Sequence, residues 1–365
     1  MNGKQLNIAF FGSSIVSAYW NGAATYYRGI VRALHNLGHN VTFYEPDIYD
    51  RQKNRDIEIP DYCKVEVYKS EEEEIARCLN DAASADVIIK ASGVGAFDDF
   101  LEKAVTELKN ENNLIVFWDV DAPATLDRIE NNPDDPFHNL IPLYDYILTY
   151  GGGNPVINAY ESKGAKKCIP VYNALDTHTH FPVEPEDRFR SDLAFLGNRL
   201  PDRESRVEEF FIKAAELLPN HHFILGGSGW EDKPLPANTN YIGHVYTDDH
   251  NAFNSTPLTV LNISRDSMAK YGYSPATRVF EAAGAAACII TDYWEGIEMF
   301  FEPDTEILIA RTGEEVAHIL STLTKEKAHE IGNAAYKKVI EHHTYHQRSK
   351  LLQTIFNESL LSVRI

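Results

Sequence analysis

The chain has 365 residues, of which 44% are hydrophobic, 24% charged and 11% aromatic; this excludes a disordered protein, and the length calls for two domains rather than one growing core. Its 34 basic residues against 54 acidic ones leave a net charge of −20, which opposes nucleic acid and anionic membrane surfaces, so any phosphate must be met by a local cluster. The four cysteines (Cys63, Cys78, Cys168 and Cys288) form no C-x-x-C pair, the polar start lacks the marks of a signal peptide, and no stretch approaches ~20 apolar residues, so reduced thiols, a cytoplasmic location and no membrane span are expected.

The first half alternates short apolar runs with amphipathic segments, the pattern of βαβ units. It predicts strands at Leu6–Phe11, Val41–Tyr44, Val87–Lys90, Leu114–Trp118, Tyr146–Thr149 and Cys168–Val171. Helices are expected around 23–37, 71–83, 97–109 and 156–162, with Gly38 as a helix stop. The Pro-rich, charged run 181–192 reads as a linker. A second alternating series follows, with strands at Leu193–Leu196, His222–Leu225, Tyr241–Ile242, Leu258–Ile263, Cys288–Ile290 and Ile307–Ile309. Helices are expected there at 203–217, 275–285, 313–320 and 326–342. The pattern predicts an α/β chain of two Rossmann-like, doubly wound parallel-sheet domains: residues 1–183, residues 184–344, and a C-terminal helix over 345–365 packing back on the first. Ligands of such sheets bind at the carboxyl ends of the strands, so the site is expected between the two halves.

Several motifs fall at such strand ends. The first βα turn carries Gly12 and Ser13, then Trp20-Asn21-Gly22 before a helix, an arrangement whose backbone amides suit an anionic or polyhydroxylated ligand, or which is simply a tight turn. Glu45 ends the second strand where a dinucleotide's ribose-binding acid would sit, but the turn lacks two of the three glycines of G-x-G-x-x-G. Ser92-Gly93-Val94-Gly95-Ala96 also fails, with Asp98 in the third position. Asp119 and Asp121 close the fourth expected strand. Such a pair can hold a divalent cation, orient an acceptor, act as a general base, or cap the next helix. The acceptor-orienting or general-base role is preferred for Asp121, and no metal is expected. Arg199 and Arg203 follow the first strand of the second half with Asn198, and Gly226 to Trp230 form a flexible loop after its second strand, either a loop that approaches a ligand or, the preferred account, a structural turn. Gly243-His244-Val245 is either a plain turn or a segment that reads a ligand through its backbone.

The strongest signal is the run from Ser274 to Gly284 (SPATRVFEAAG) before the strand that ends near Asp292. Ser followed by Pro starts a helix, so the amides of Ala276 and Thr277 should face the ligand and favour a diphosphate. Arg278 adds a cation, and Glu281, one turn deeper, is placed to accept the two ribose hydroxyls of a nucleotide. His178, His180, His342, His343 and His346 lack partners at metal-ligand spacing and read as surface or packing residues.

The run Arg278 to Ala283, with Phe195 to Arg199, Arg203 and Leu261 to Arg265, resembles the bacterial glycosyltransferases named after the spore-maturation protein CgeB, within the broad GT-B class. The resemblance covers most of the chain and is strongest over 192–303. It implies that Glu281 holds the donor ribose and that Arg199 and Arg203 hold the diphosphate. It also implies that Gly243, His244 and Val245 approach the donor base, with a UDP-sugar favoured as donor. Retaining relatives carry another glutamate eight positions before Glu281, and here that position is Tyr273, which leaves the stereochemical outcome open.

The expectation is therefore a cytoplasmic, metal-independent GT-B hexosyltransferase without a cofactor, acting on a saccharide, lipid or protein acceptor. Asp121 and Arg199 would be catalytic. Glu281, Arg278, Thr277, Ala276, Arg203, His244, Val245, Asn198 and Tyr273 would hold the donor, and Gly12, Ser13, Asn21, Gly22 and Asp119 would face the acceptor or sugar. The alternatives are a nucleotide-sugar epimerase of the same fold and a non-catalytic sugar-nucleotide-binding protein.

Overall fold

The computed structural model describes residues 4–19, 21–201 and 203–363; Trp20 of the first-turn motif and the outermost residues of the expected domains lie outside them. The chain divides into two compact units, Met1–Tyr172 with Tyr345–Ile365, and Asn173–Thr344. Among the described residues no helix is long and apolar enough to cross a membrane.

The first unit is built on β1 (Asn7–Phe11), β2 (Asn40–Pro46), β3 (Lys64–Tyr68), β4 (Val87–Ala91), β5 (Leu114–Asp119), β6 (Tyr146–Thr149) and β7 (Cys168–Pro170). They pair in parallel in the order β3-β2-β1-β4-β5-β6-β7. Strands β4 and β5 are buried throughout, as the near-continuous apolar runs of a sheet covered on both faces require. Periodicity does not predict β3. Its sequence KVEVY puts Lys64 and Glu66 among the valines, which suits a half-exposed edge strand. The order reverses between β1 and β4, so the loops after these two strands flank the switch point of this sheet.

The helix Tyr345–Val363 completes this unit. Its Tyr345 ring lies so close to Gly29, in the helix Ala24–Asn36, that a Cβ there would fall 2.1 Å from the ring. Ser349 donates to the Ile30 carbonyl, and the Ser359 hydroxyl meets that of Tyr146.

The second unit repeats the topology with β8 (Leu193–Leu196), β9 (Phe223–Gly226), β10 (Thr239–Gly243), β11 (Thr259–Asn262), β12 (Ile289–Asp292) and β13 (Leu308–Ala310). The order is β10-β9-β8-β11-β12-β13, again parallel, and each of these strands lies on an apolar run that the sequence marks. One side of its core gathers Phe195, Phe211, Trp230, Leu261 and Ile290. The switch point lies between β8 and β11. Residues 173–183, expected with the first domain, join the second. Leu175 donates its N–H to the His343 carbonyl and bridges Thr344, and the Asn173 amide donates to the Pro275 carbonyl at 3.4 Å.

Candidate functional site

The helix after β11 that carries the expected site is Thr277–Gly284, so it starts two residues later than Pro275 predicts. Ala276 stays extended at φ −64°, ψ 145°, as the N-cap residue, and no side chain caps it. Because Pro275 has no N–H and Val279 already donates to the Ala276 carbonyl, the open amides are those of Ala276, Thr277 and Arg278. None of the three makes a hydrogen bond among the described residues. The positive end of the helix dipole and three such donors form an anion-binding geometry.

The Arg278 guanidinium lies in the first turn of this helix, and that of Arg203 is within electrostatic reach of it. Arg278 is half-buried and makes no hydrogen bond or ion pair among the described residues; burial, together with the like charge of Arg203, pushes its pKa down to about 10 against the pull of Glu281. Arg203 lies at the start of the helix Glu204–Val207, with its Nη1 over the Cα of Gly197 at the end of β8. Two cations that repel each other beside open amides are stabilised by a polyanion. Glu281 follows in the second turn of the same helix, mostly buried, and its Oε1 is 3.9 Å from Nε2 of His180.

Arg199 is engaged by acids of its own unit. Its guanidinium donates to Glu204 at 2.7 Å and Asp232 at 2.8 Å and lies over the Trp230 ring. Bonds from Arg199 and then Lys233 hold the Glu204 carboxyl down at about 2. Arg199 thereby fastens the loop after β9 to the loop after β8. Asn198 joins it by accepting the Ser228 N–H, and the Trp230 indole donates to the Gly197 carbonyl. A Cβ on Gly227, at φ +116°, would stand 2.3 Å from that carbonyl oxygen, so only glycine fits the crossing. The loop 226–230 is therefore a structural closure. After β10, Val245 is buried and its carbonyl is 3.3 Å from Nε2 of His250, while His244 is exposed with its ring against that of exposed Tyr246.

Tyr273 sits in the left-handed region at φ 48°, next to Gly272. Its N–H donates to the Glu295 carbonyl and its hydroxyl to Glu295 Oε1 at 3.1 Å, which holds an exposed carboxylate beside it.

The corresponding loops of the first unit are closed by their own residues. Glu45, fully buried, accepts the Ile15 N–H, the Ser14 hydroxyl and the Gln52 amide. Ser13 donates to the Asn21 side chain, whose amide in turn donates to the carbonyls of Ser14 and Ser17. A Cβ on Gly12 would meet the Phe43 ring, whereas Gly22 faces open space. After β4, Asp98 accepts the N–H groups of Val94 and Gly95 and pairs with buried Lys90. The acid and the amides that a dinucleotide would need are thus consumed internally.

Asp119, at the end of β5, is also filled. It accepts from Ser92, Thr125 and the Asp121 N–H on one oxygen and from Tyr160 on the other. It is an anchor for the strand end and is not placed to touch an acceptor or share a cation. Asp121 occupies the N-cap position of the helix Ala122–Asn131 without a side-chain cap bond, and it is exposed.

Three neighbours of this region were not brought together by sequence reasoning. His180, expected to be a packing residue, stands beside Glu281, and the His250 ring lies 6.2 Å from it. Asp292 is buried at the end of β12, where burial raises its pKa; it accepts the Ser264 N–H and hydroxyl and pairs with Arg206, fixing the loop after β11.

A family model described as glycosyl transferase-like matches residues 203–354, which include Arg203, Arg278 and Glu281. A comparison with curated protein sequences gave no match. Among solved structures, HepE from Anabaena in complex with UDP and glucose has a TM-score of 0.66 at 12% identity, over 97% of this chain and 100% of that one. Sucrose-phosphate synthase from Thermosynechococcus elongatus has a TM-score of 0.70 at 12% identity, over 98% and 100%. An alpha-glucosyltransferase in complex with UDP-glucose and DNA containing an abasic site has a TM-score of 0.70 at 12% identity, over 97% and 100%. The chain has the GT-B fold that these glycosyltransferases share, two parallel-sheet α/β units.

Proposed function

We propose that the protein is a metal-independent glycosyltransferase of the CgeB-like kind, which moves a hexosyl group from a UDP-sugar to a saccharide, lipid or protein acceptor. The observation that carries this reading is the tip of the Thr277 helix: three open amides, the Arg278 guanidinium with Arg203 near it, and a carboxylate one turn deeper. The spacing matches a nucleoside diphosphate, with the phosphates at the helix end and the ribose diol at Glu281. The solved structures that hold UDP or UDP-glucose on the same fold, and the family match over this region, support the choice of donor.

Transfer breaks the bond between the anomeric carbon and the β-phosphate oxygen, and negative charge develops on the departing diphosphate. The amides of Ala276, Thr277 and Arg278, with the Arg203 and Arg278 side chains, stabilise that charge as it forms, the service a metal ion gives elsewhere. The acceptor hydroxyl bonds to the anomeric carbon and gives up its proton, for which exposed Asp121 of the first unit is the proposed base or orienting group. Arg199 contributes by holding its loop, and His244 and Val245 are proposed to border the base.

Calorimetric titration with UDP tests the reading. Glu281→Ala should weaken UDP about 10- to 100-fold, the worth of hydrogen bonds to a charged group, and leave inorganic pyrophosphate unaffected. Unchanged UDP affinity in that variant would overturn the assignment. Sugar transfer that survives a chelator is the expected catalytic outcome. Turnover of donor alone to an epimeric sugar, or tight binding with no turnover on any acceptor, would replace transfer with the epimerase or the binding protein.

A further inference from the structure

His180 is 6% exposed, and its Nε2 is buried without a hydrogen-bond partner among the described residues. Its backbone is held from two sides. The His180 and Thr179 N–H groups close a turn on the Asp176 carbonyl, and the Asn251 amide, from the helix His250–Ser255, donates to the Thr179 carbonyl. The ring is therefore delivered to one place, against the Thr277 helix, with Nε2 3.9 Å from Glu281 Oε1.

The tautomer follows from its neighbours. The Thr179 hydroxyl has one proton and two acceptors in reach, Nδ1 of His180 at 2.9 Å and the Asp176 carbonyl at 3.2 Å. If it gave the proton to the carbonyl, Nδ1 would carry the imidazole proton and Nε2 would turn a lone pair on the Glu281 carboxylate. Two acceptors would then face each other in a buried place. If it gives the proton to the nearer Nδ1, Nε2–H points at the carboxylate, which is the electrostatically favoured arrangement. The His250 ring lies 6.2 Å from that of His180; burial lowers the pKa of His250, and its Nε2 is engaged with the Val245 carbonyl.

We infer that His180 is the positioning residue of the ribose site: its Nε2–H closes onto Glu281 when nucleotide binds and holds one carboxylate oxygen, so that the other meets the ribose diol in a fixed direction. The inference rests on the reading of Glu281 as the ribose ligand. It gives the buried nitrogen the partner it lacks and makes recognition of the sugar ring depend on a residue that does not touch it.

Ribose against deoxyribose selectivity tests the inference, measured as the ratio of the calorimetric dissociation constants for 2′-deoxyuridine diphosphate and uridine diphosphate. The intact protein should prefer the ribonucleotide by about 10-fold or more. His180→Ala should bring that ratio to within about 3-fold of unity while pyrophosphate affinity stays the same. His180→Gln, whose amide can present a donor near the imidazole Nε2, should restore much of the preference. Thr179→Val should fall between, because it removes the hydroxyl that sets the tautomer. A His180→Ala protein that keeps the full ratio, or a loss that His180→Gln does not rescue in a protein with unchanged melting temperature, overturns the inference. If Glu281→Ala itself leaves the ratio unchanged, the ribose-site reading fails. A ratio lost in Glu281→Ala but kept in His180→Ala removes only the role given to His180.

Discussion

The two units fold their chains into the same strand order and both tie down the loops at their switch points, but the second keeps a helix end open beyond its own. Around β1 the loop is answered from within: Glu45 takes the Ile15 amide, Asn21 stitches three serines, and Asp98 seals the loop after β4. In the second unit, the helix beyond the switch point keeps three amides and the Arg278 side chain unanswered among the described residues, and a buried imidazole nitrogen besides. Topology therefore offers each unit an anion site, and the side chains decide whether it stays open. An open site costs stability in the empty protein and is retained where a ligand compensates.

The comparison is most exposed to failure at Glu45. Glu45→Ala should destabilise the first unit by on the order of 3 kcal/mol, because it strands the Ile15 amide, the Ser14 hydroxyl and the Gln52 amide in a dry place, while UDP affinity stays unchanged in the folded fraction. Thermal unfolding followed beside calorimetry checks both halves, and a loss of affinity without loss of stability would mean that the first loop is a binding loop after all.

Arg278→Met should do the reverse. With no hydrogen bond to lose, and with the cost of burying the cation set against the pull of Glu281, the folded state should change by less than about 1 kcal/mol, whereas UDP should weaken about 10- to 100-fold. A large fall in melting temperature in this variant would show Arg278 to be a structural cation.

A smaller effect separates the units by pH. Burial lowers the pKa of His39 in the first unit and, as its leading cause, of His250 in the second. In the unfolded chain both take up a proton near pH ~6.5, and the folded state resists, so the unfolded state binds more protons. Stability is then fully present above pH ~6.5 and declines as the pH falls below it. Because the Leu6 N–H donates to Nδ1 of His39, protonation there also sets two donors against each other. Melting curves from pH ~7.5 to ~5.5 should show a loss on the order of 1 kcal/mol, and UDP should offset it only in the second unit.

How much of this could be read from the sequence differs with the range of the interaction. Both sheets were legible, because burial on both faces forces the apolar runs of β4, β5, β11 and β12; the edge strand β3 was not, because exposure frees its alternate positions for Lys64 and Glu66. The helix that carries Arg278 and Glu281 was legible, because its Ser-Pro start and apolar spacing are local. Asp119 was misread: a carboxylate at a strand end looks available until Ser92, Thr125 and Tyr160 are seen to fill it, two of them from distant parts of the chain. The tie from Arg199 to Asp232 was hidden for the same reason, since Asp232 comes from another loop. His180 left no trace, because its relation to Glu281 exists only in space.

The return of the chain to its starting unit has a consequence for biosynthesis. Residues 345–363 supply the helix that covers Gly29 and Ile30, yet they follow the whole of 173–344 on the messenger. At ~5–20 residues per second, the ribosome needs roughly 10–35 s to make that interval. Throughout it, the nascent first sheet waits with the flank of its opening helix uncovered, while the later sheet can finish and close. The first sheet to be translated is thus the one whose cover is synthesised last.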